Sequence, residues 1–420
     1  MVRSVEPSFV SGEIKAPPSK SMSQRAIAAA MLSAGDSLIT NLSDCDDALA
    51  ATRIASALGA ELEVTNGMIK VKGGGKIREA TLNCGESGLA IRMFSPIAAL
   101  FPDEIIITGE GSLKRRPMSM ITDALTQLGV TCTSSEGYLP LKVKGPLQGG
   151  NIEIDGSVSS QILTGLLMAL PLADNDSMIR VRNLKSKPYI DMTIGILRDF
   201  GIEVENEDYT LFRIKGCQKY RARRYEVEGD WSGAAFLLVA GAVNGNLTIK
   251  GLDPGSAQSD REIVSALERS GADLKIDSRA INISKTSLKA FEFDATESPD
   301  LFPPLAALAS YCKGTSIIKG VSRLIHKESD RATALQQEFG RMNIDIKVEG
   351  DLMYIKGGNV KGAEVDSHGD HRIAMASAVA ALGSEGPVAI RGSEAVAKSY
   401  PGFFEDLHSI NANVTEDLKK

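Results

Sequence analysis

Cationic side chains stand beside serine hydroxyls at several separated places in this chain of 420 residues. Lys20 and Ser21 begin a run that reaches Arg25, and Ser186 is followed directly by Lys187. Ammonium and guanidinium groups next to hydroxyls suit phosphate and carboxylate, because they combine charge with directed hydrogen bonds. The pattern predicts a site for a small anion, although each group taken alone is also consistent with solvated charges at a helix end.

Similar groups recur later in the chain. Most of them combine Arg or Lys with Ser, Gly or a carboxylate, and one consists of two serines and a glutamine. The groups are Glu86-Ser87-Gly88 with Arg92, Arg115 with Arg116, Ser159-Ser160-Gln161, Lys327-Glu328 with Asp330 and Arg331, and Asp370-His371-Arg372 with Lys398. Asp300 lies near a further expected helix start, and Asp300 and Glu328 offer acid–base groups. Together these groups place the same chemistry at equivalent positions.

The elements that position these groups form a repeat of about 70 residues. One landmark is a β-type run that ends in Gly or Asn, at Asn41, Gly109, Asn183, Gly251, Gly320 and Gly392. A second is an amphipathic helix closed by a residue suited to the left-handed conformation, at Gly59, Gly129, Gly201, Gly271, Asn343 and Asn411. The two landmarks keep the same phase six times, which indicates six copies of one unit.

A third landmark locates the chemistry at helix starts. Each unit has a strand whose last apolar residue precedes a Ser or Asp by five positions, at Ile14/Ser19, Leu82/Ser87, Ile154/Ser159, Val227/Ser232, Phe293/Ser298 and Val365/Asp370. Ser and Asp are favourable N-caps, and the small, apolar helices that follow are predicted to be buried. Helix N-termini favour anions through their free N–H groups and dipole.

Each unit therefore reads β-α-β-α-β-β, which predicts an α/β protein with three units in each of two similar domains. The last unit runs out of chain before its closing strand, and residues 9–14 are expected to supply it. The fourth unit, with Asp230, Trp231 and Ser232 at its helix start, is expected to be mainly structural.

Composition excludes several classes of protein. Hydrophobic residues make up 43% and charged residues 24% of the chain, as in globular domains, and the net charge of -6 gives no general attraction to nucleic acid or anionic membranes. The five cysteines include no CxxC pair, and the chain begins without a secretory pattern, so a cytoplasmic location is expected. The uncharged stretch 231–249 is long enough to suggest a membrane span, but its polar residues and glycines favour a buried helix and turn.

Two other patterns have simpler readings. Gly73-Gly74-Gly75-Lys76 is followed by Ile77 where a phosphate loop needs Ser or Thr, so it predicts a turn. The carboxylates and histidines between Asp366 and His371 could bind a metal, but the expected helix cap at Asp370 accounts for them. We expect no metal.

Taken as a set, the site segments resemble the 5-enolpyruvylshikimate-3-phosphate (EPSP) synthase family. The matching segments lie in order along the chain as PSKSMSQRA (18–26), ESGLAIR (86–92), SLKRRPM (112–118), SSQ (159–161), SKPYIDMT (186–193), SPD (298–300), HKESDR (326–331), DHRIAM (370–375) and KSYPGF (398–403). The resemblance implies an inside-out α/β barrel in each of two domains, 15–227 and 228–420 plus 1–14, with the active site in the cleft between them.

The resemblance also implies a reaction. Phosphoenolpyruvate transfers its enolpyruvyl group to the 5-hydroxyl of shikimate 3-phosphate and releases phosphate through a tetrahedral intermediate. The implied partners are these two small molecules, and neither nucleic acid nor a membrane is implied. The resemblance implies no cofactor. We expect a monomer.

Site residues follow from matching positions. The implied contacts of shikimate 3-phosphate are Lys20, Ser21, Arg25, Ser159, Ser160, Gln161, Ser186, Asp300 and Lys327. The implied contacts of phosphoenolpyruvate are Lys20, Gly88, Arg116, Gln161, Arg331, Arg372 and Lys398. The implied catalytic residues are Asp300, which accepts the proton of the 5-hydroxyl, Glu328, which protonates C3 of phosphoenolpyruvate, and Lys20.

Some positions depart from the family pattern. Glu86 replaces an Asn, so its carboxylate either points away from the anion or is paired, and Arg323 replaces another Asn. The adjacent Arg115 and Arg116 leave open which of them contacts phosphoenolpyruvate. Two alternatives stay open. One is an enolpyruvyl transferase acting on UDP-N-acetylglucosamine, but that family needs a loop cysteine, whereas Cys132 of this chain follows a helix. The other is a non-catalytic anion-binding protein.

Overall fold

A computed structural model describes residues 1–157, 159–277, 280–325 and 327–417. The chain forms two compact units. The N-terminal unit is Pro18–Val227, and the C-terminal unit is Met1–Pro17 together with Glu228–Lys420.

Strands and helices are numbered in chain order. The first two strands, β1 (Val2–Val5) and β2 (Val10–Lys15), belong to the C-terminal unit. The N-terminal unit then contains α1 (Lys20–Leu32), β3 (Gly35–Thr40), α2 (Asp46–Ala57), β4 (Glu61–Thr65), β5 (Met68–Gly73), β6 (Thr81–Asn83), α3 (Gly88–Ala98), β7 (Glu104–Thr108), α4 (Ser119–Gln127), β8 (Thr131–Ser135), β9 (Tyr138–Lys144), β10 (Asn151–Asp155), α5 (Gln161–Ala169), β11 (Ser177–Arg182), α6 (Lys187–Asp199), β12 (Glu205–Glu207), β13 (Leu211–Ile214) and β14 (Arg224–Glu226).

The C-terminal unit continues after residue 227 with the same alternation. It contains α7 (Trp231–Asn244), β15 (Gly245–Lys250), α8 (Ile263–Ser270), β16 (Asp273–Ile276), β17 (Ala280–Ser284), β18 (Glu292–Asp294), α9 (Phe302–Ala309), β19 (Thr315–Lys319), α10 (Arg331–Arg341), β20 (Asp345–Glu349), β21 (Leu352–Lys356), β22 (Ala363–Asp366), α11 (His371–Ala381), β23 (Val388–Arg391), α12 (Phe403–Ser409) and β24 (Val414–Asp417).

Each repeat builds a four-stranded mixed sheet with one topology. In the second repeat the order is β6-β7-β9-β8, with β6 parallel to β7 and the β8–β9 hairpin antiparallel to β7. Four of the other five sheets have the same pattern of a parallel leading strand and an antiparallel pair of consecutive strands, and in the sheet β22-β23-β1-β24 the antiparallel pair is β1 and β24. The predicted β-α-β-α-β-β unit and the α/β fold are confirmed.

The closing strand of the last repeat is not the predicted one. Residues 9–14 were expected to supply it, but β1 lies between β23 and β24 and pairs antiparallel with both. β2 instead runs parallel to β15, with Ile14 opposite Ile249. The closing position needs a strand antiparallel to β23, and β2 is a leading strand because the chain passes from it directly into α1. The alternation of side chains identified both segments as strands but not their partners.

The chain exchanges leading strands between the two units. β14 precedes α7 but pairs with β3 in the N-terminal unit, and β2 precedes α1 but pairs with β15 in the C-terminal unit. The first boundary between the units falls after Pro17, and Ala16 N–H continues the ladder to the Lys250 carbonyl at 2.8 Å.

Three buried helices form the core of each unit, with the sheets packed around them. They are α1, α3 and α5 in the N-terminal unit and α7, α9 and α11 in the C-terminal unit. α7 contains the uncharged stretch that suggested a membrane span, and Trp231 through Val243 are all buried in the core. Among the described residues, no helix has both the length and the apolar character needed to cross a bilayer.

The helix starts confirm three predicted caps and correct three. Ser19, Ser87 and Asp370 cap α1, α3 and α11 through their side-chain oxygens. α5 is instead capped at Ser160, while Ser159 Oγ accepts from Gln161 N–H at 3.2 Å, and Ser298 precedes a 3-10 turn, Pro299–Leu301, rather than α9 itself.

The third corrected cap concerns α7. Asp230, not Ser232, caps this helix, accepting from the backbone N–H groups of Ser232 and Gly233. A carboxylate is the stronger acceptor at a helix N-terminus, so the cap lies two residues before the predicted serine and the helix begins at Trp231. The Ser232 hydroxyl is then available for another partner.

Candidate active site

The predicted site residues fall into two sets, one in each unit. In the N-terminal unit Lys20 is the first residue of α1, and its Nζ lies 3.1 Å from Asp47 Oδ2 on α2. The carboxylate holds the ammonium group at a helix start, where the dipole alone would disfavour it. Sequence reasoning missed Asp47, and the only available signal was the acidic run Asp44, Asp46 and Asp47 before α2.

Arg25 lies one turn further along α1 and is 1% exposed. Its Nε donates to Thr193 Oγ1 at 3.0 Å, and its two Nη groups donate to the carbonyls of Ser21 and Tyr189 at 2.9 and 3.3 Å. Burial lowers the pKa of Arg25 to about 10. Within the described residues its hydrogen-bond partners are all neutral oxygens, so this buried cation would gain from an anion.

The predicted serines lie at or near helix starts of the same unit. Ser21 is in the first turn of α1, Ser160 caps α5, and Ser186 precedes α6 in the left-handed conformation with φ 59°. Ser160 and Ser186 are buried, while Ser159 is half-buried. Hydroxyl groups therefore lie at or near the starts of α1, α5 and α6.

A second cluster surrounds Gly88, the first residue of α3. A Cβ placed on Gly88 would lie 2.6 Å from Arg116 Nη1, 2.9 Å from Arg92 Nη1 and 3.6 Å from Gln161 Oε1. Arg92 Nη1 also donates to Gln161 Oε1 at 3.1 Å and to the Gly88 carbonyl at 3.0 Å. Gly88 is therefore needed for close approach, and two guanidinium groups meet at this helix start.

The geometry separates Arg115 from Arg116. Arg116 reaches Gly88 and is half-buried, whereas Arg115 is exposed. Arg92 is the residue whose importance sequence reasoning understated, since it links Gly88 to Gln161.

In the C-terminal unit Asp300 is the centre of a cation cluster. Its Oδ1 accepts from Lys327 Nζ at 3.2 Å and from Arg331 Nη1 at 2.6 Å, and its Oδ2 lies 3.3 Å from Arg372 Nη2. Arg372 Nη1 also donates to the Asp300 backbone carbonyl at 3.3 Å. The structure therefore brings together four of the predicted residues.

Arg331, at the start of α10, joins this cluster to two more carboxylates. It is 1% exposed, and it donates to Glu328 Oε2 at 2.5 Å and to Asp370 Oδ2 at 2.7 Å. Asp370 therefore has two roles, as the cap of α11 and as a partner of Arg331. The sequence predicted only the first.

The charges around Asp300 determine its protonation. Burial would raise the pKa of this carboxyl, but Arg372, Lys327 and Arg331 outweigh burial and hold the pKa well below its ordinary value. Burial, the largest influence, lowers the pKa of Lys327, although Asp300 opposes it. Asp300 is therefore a carboxylate at neutral pH.

Lys398 and the acidic stretch before α11 lie at the edge of this cluster. Lys398 Nζ donates to the Gly369 carbonyl at 2.8 Å, one residue before Asp370. His368 contacts Glu338 through Nε2 at 2.8 Å, and its backbone N–H donates to Asp366 Oδ1 at 2.6 Å. No group of three His, Cys, Asp or Glu side chains in the described part of the chain could hold a metal.

Asp260 is a buried carboxyl in the fourth repeat that sequence reasoning missed. It accepts from Ser232 Oγ and, at 3.3 Å, from Ser259 Oγ. Burial, reinforced by the charge of Asp300 and opposed by Arg372, raises the pKa of Asp260 to about 6. The fourth repeat therefore contains a buried carboxyl whose pKa depends on Asp300, and the expectation that this repeat is mainly structural stays a prediction.

Two further residues bear on the alternatives. Cys132 lies in β8 and is buried, and burial raises the pKa of its thiol to about 11, which keeps it protonated and unreactive. His326, part of the HKESDR segment, lies outside the described residues.

The comparisons with known proteins agree along nearly the whole chain. The sequence model of the family described as EPSP synthase (3-phosphoshikimate 1-carboxyvinyltransferase) matches residues 5–407. A 3-phosphoshikimate 1-carboxyvinyltransferase of Clostridium kluyveri is 39% identical over 417 residues, covering 98% of each chain. One of Aeropyrum pernix is 38% identical over 411 residues, covering 98% of this chain and 96% of the relative.

Solved structures give the same fold. An EPSP synthase from Acinetobacter baumannii has a TM-score of 0.83 at 27% identity, covering 99% of this chain and 100% of the other. The enolpyruvyl transferase NikO from Streptomyces tendae has a TM-score of 0.79 at 18% identity, covering 99% and 98% of the two chains. The second likeness concerns the fold alone.

Proposed function

This chain belongs to the EPSP synthase family, and we propose that it transfers the enolpyruvyl group of phosphoenolpyruvate to the 5-hydroxyl of shikimate 3-phosphate and releases phosphate. The observation that carries the proposal is the buried Arg25, whose charge has only neutral partners among the described residues. A phosphate monoester supplies the missing anion, and neighbouring serine hydroxyls can donate to its remaining oxygens.

We propose that shikimate 3-phosphate is bound through its phosphate by Ser21, Arg25 and the serines at the starts of α5 and α6. Lys20, Gln161, Asp300 and Lys327 complete this set. Buried serine hydroxyls and a buried guanidinium favour a ligand with many acceptor oxygens. The support in the structure is the burial of Arg25, Ser160 and Ser186.

Phosphoenolpyruvate carries two anionic groups and needs more than one cation. We propose that Gly88, Arg116 and Gln161 bind it at the start of α3, and that Lys20, Arg331, Arg372 and Lys398 complete the set. Carboxylates hold Arg331 and Arg372 in place, which preorganises these cations for an anion.

The proton transfers follow from the charges around Asp300. With the cations paired to it, Asp300 is ionised but a weak base, because its pKa is held low. When substrate anions engage those cations, less positive charge faces Asp300, and it becomes a better acceptor for the 5-hydroxyl proton. Glu328, whose Oε2 accepts from Arg331 Nη2 at 2.5 Å, is proposed to protonate C3 from its protonated form.

No cofactor is needed for this addition–elimination, because charge stabilisation and proton transfer by side chains suffice. The chain is proposed to be a cytoplasmic monomer, and its five unpaired cysteines agree with a reducing compartment. The position of the active site in a cleft, and the domain limits at 15–227 and 228–420 plus 1–14, stay predictions.

The decisive experiment follows phosphate release from phosphoenolpyruvate with purified protein. We expect release with shikimate 3-phosphate and none with UDP-N-acetylglucosamine as acceptor. Release only with UDP-N-acetylglucosamine would replace the proposal by the alternative transferase. Binding of both substrates without release from either would favour a binding protein.

A further inference from the structure

Glu86 lies directly before Ser87, the serine that caps α3. Its Oε2 accepts a hydrogen bond from the backbone N–H of Ser112 at 2.9 Å. The carboxylate is therefore engaged with the segment that leads to Arg116. This contact joins two pieces of the chain that both reach the Gly88 cluster.

The segment held by Glu86 is a short, closely packed 3-10 turn, Gly111–Arg115. Gly111 has φ +48°, and a Cβ on it would lie 2.3 Å from the carboxyl carbon of Glu86, so the carboxylate sits directly against the backbone. Leu113 anchors the turn in the core with no exposed surface. Glu110 N–H also donates to the Gly85 carbonyl at 2.7 Å, which ties the turn to the residues before α3.

The turn ends at Arg116, whose backbone N–H donates to the Leu113 carbonyl at 3.2 Å. The Arg116 guanidinium then lies over Gly88, with Nη1 2.6 Å from the position a Cβ would occupy. The hydrogen bond from Ser112 and the turn that follows therefore connect Glu86 to this guanidinium. Moving the turn moves the cation relative to the N–H groups of α3.

We infer that Glu86 is a positioning residue, which fixes Arg116 over the start of α3 so that the guanidinium and the helix N–H groups bind one anion together. This inference rests on the proposed function in taking that anion to be phosphoenolpyruvate. The carboxylate charge itself opposes an anion, so its benefit lies in its hydrogen bond. Gln at this position would keep an acceptor and remove the charge.

The test measures the dissociation constant of phosphoenolpyruvate by calorimetry, together with steady-state phosphate release. We expect Glu86→Ala to weaken phosphoenolpyruvate binding by about tenfold, the effect of losing one hydrogen bond to a charged acceptor. Binding of shikimate 3-phosphate should stay within about twofold. Glu86→Gln should bind phosphoenolpyruvate at least as tightly as the unmodified protein.

Glu110→Ala is the matched control, because Glu110 is an exposed carboxylate of the same loop that accepts from Asn83 rather than Ser112. It should leave phosphoenolpyruvate binding unchanged. If Glu86→Ala does not fold, Gly111→Ala takes its place, since the added methyl displaces the Glu86 carboxyl, and it should weaken binding in the same way.

Unchanged phosphoenolpyruvate binding in Glu86→Ala would overturn the inference. Equal weakening in Glu86→Ala and Glu86→Gln would also overturn it, because the hydrogen bond would then not be the cause. The unmodified protein separates these results from the proposed function: absence of phosphate release there would refute the function, whereas the binding measurements test Glu86 alone.

Discussion

At the scale of single residues, Asp300 lies at the centre of a group of cations. Three cations lie within 3.3 Å of its carboxylate oxygens, and they belong to α10, α11 and the segment between β19 and α10. The same cations are the proposed anion ligands. One carboxylate therefore positions the cations, and we propose that it also accepts a proton during the reaction.

Replacing Asp300 by Asn should separate these roles. We expect kcat to fall at least about 100-fold, because the proton acceptor is lost. The KM for phosphoenolpyruvate should not rise, since the cations lose a competing carboxylate. Steady-state phosphate release measures both quantities, with Asp294→Asn, an exposed carboxylate paired with Lys319, as the control. A rise in KM with unchanged kcat would contradict the assigned role.

Asp260 affects stability through its buried proton. Burial first, and then the charge of Asp300, raises its pKa from the ordinary 3.8 to about 6. The folded protein therefore keeps a proton that the unfolded chain has already lost in this range. Stability falls as the pH rises through this window, and the loss is complete above the folded-state pKa.

The variant Asp260→Asn should lack this pH dependence. We compare the unfolding free energy of the variant with that of the unmodified protein at each pH. From about pH 4 to pH 7 this difference should shift in favour of the variant by roughly 3 kcal/mol, because the amide cannot ionise. Urea unfolding at the two pH values measures this. A difference between the proteins that stays constant with pH would show that Asp260 does not titrate as described.

At the scale of elements, candidate site residues of each unit lie at the starts of helices. α1, α3, α10 and α11 each begin with a side-chain cap, and each has Lys20, Gly88, Arg331 or Arg372 within its first two residues. Cations near a helix N-terminus are unfavourable on their own. Carboxylates therefore accompany Lys20, Arg331 and Arg372, and a bound anion would serve the same purpose.

The cap of α10 offers a test at this scale. Asp330 accepts from Thr333 N–H at 3.3 Å and from Thr333 Oγ1 at 2.8 Å. Asp330→Ala should lower the unfolding free energy by about 1 kcal/mol, whereas Asp330→Asn, which keeps a capping oxygen, should change it little. Chemical unfolding of the two variants makes the comparison. Equal stability of Ala and Asn would mean that the cap contributes nothing.

At the scale of the whole molecule, the chain closes one unit with its own two ends. β1 is an inner strand of the sheet β22-β23-β1-β24, so the first residues hold the last repeat together. Val5 has no exposed surface. The two connections after Pro17 and Val227 then divide the chain between the units.

Deleting residues 2–5 should destabilise the protein by at least about 2 kcal/mol, because it removes a strand paired on both sides and exposes the apolar surface it covers. Thermal and urea unfolding measure the loss. The substitution Phe9→Ser serves as control, since Phe9 is 55% exposed and should alter stability by less than about 0.5 kcal/mol. A deletion with no effect would mean that β24 and β23 do not need β1.

The sequence by itself predicted the repeat and the buried helices, and it supplied the candidate site residues. Left-handed residues at Gly59, Gly129, Gly201, Gly271, Asn343 and Asn411, with φ between 67° and 110°, close the helices as predicted. These features are local, because backbone conformation, apolar periodicity and helix capping depend on residues within a few positions.

Only the tertiary structure decided which segments are partners. It assigned β1 rather than residues 9–14 to the last sheet, moved the cap of α7 to Asp230, and chose Arg116 over Arg115 beside Gly88. It also revealed Asp47, Asp260 and the Glu86 contact with Ser112. Strand pairing and charge pairing join residues that are far apart in the chain, and a single sequence does not record which distant groups meet.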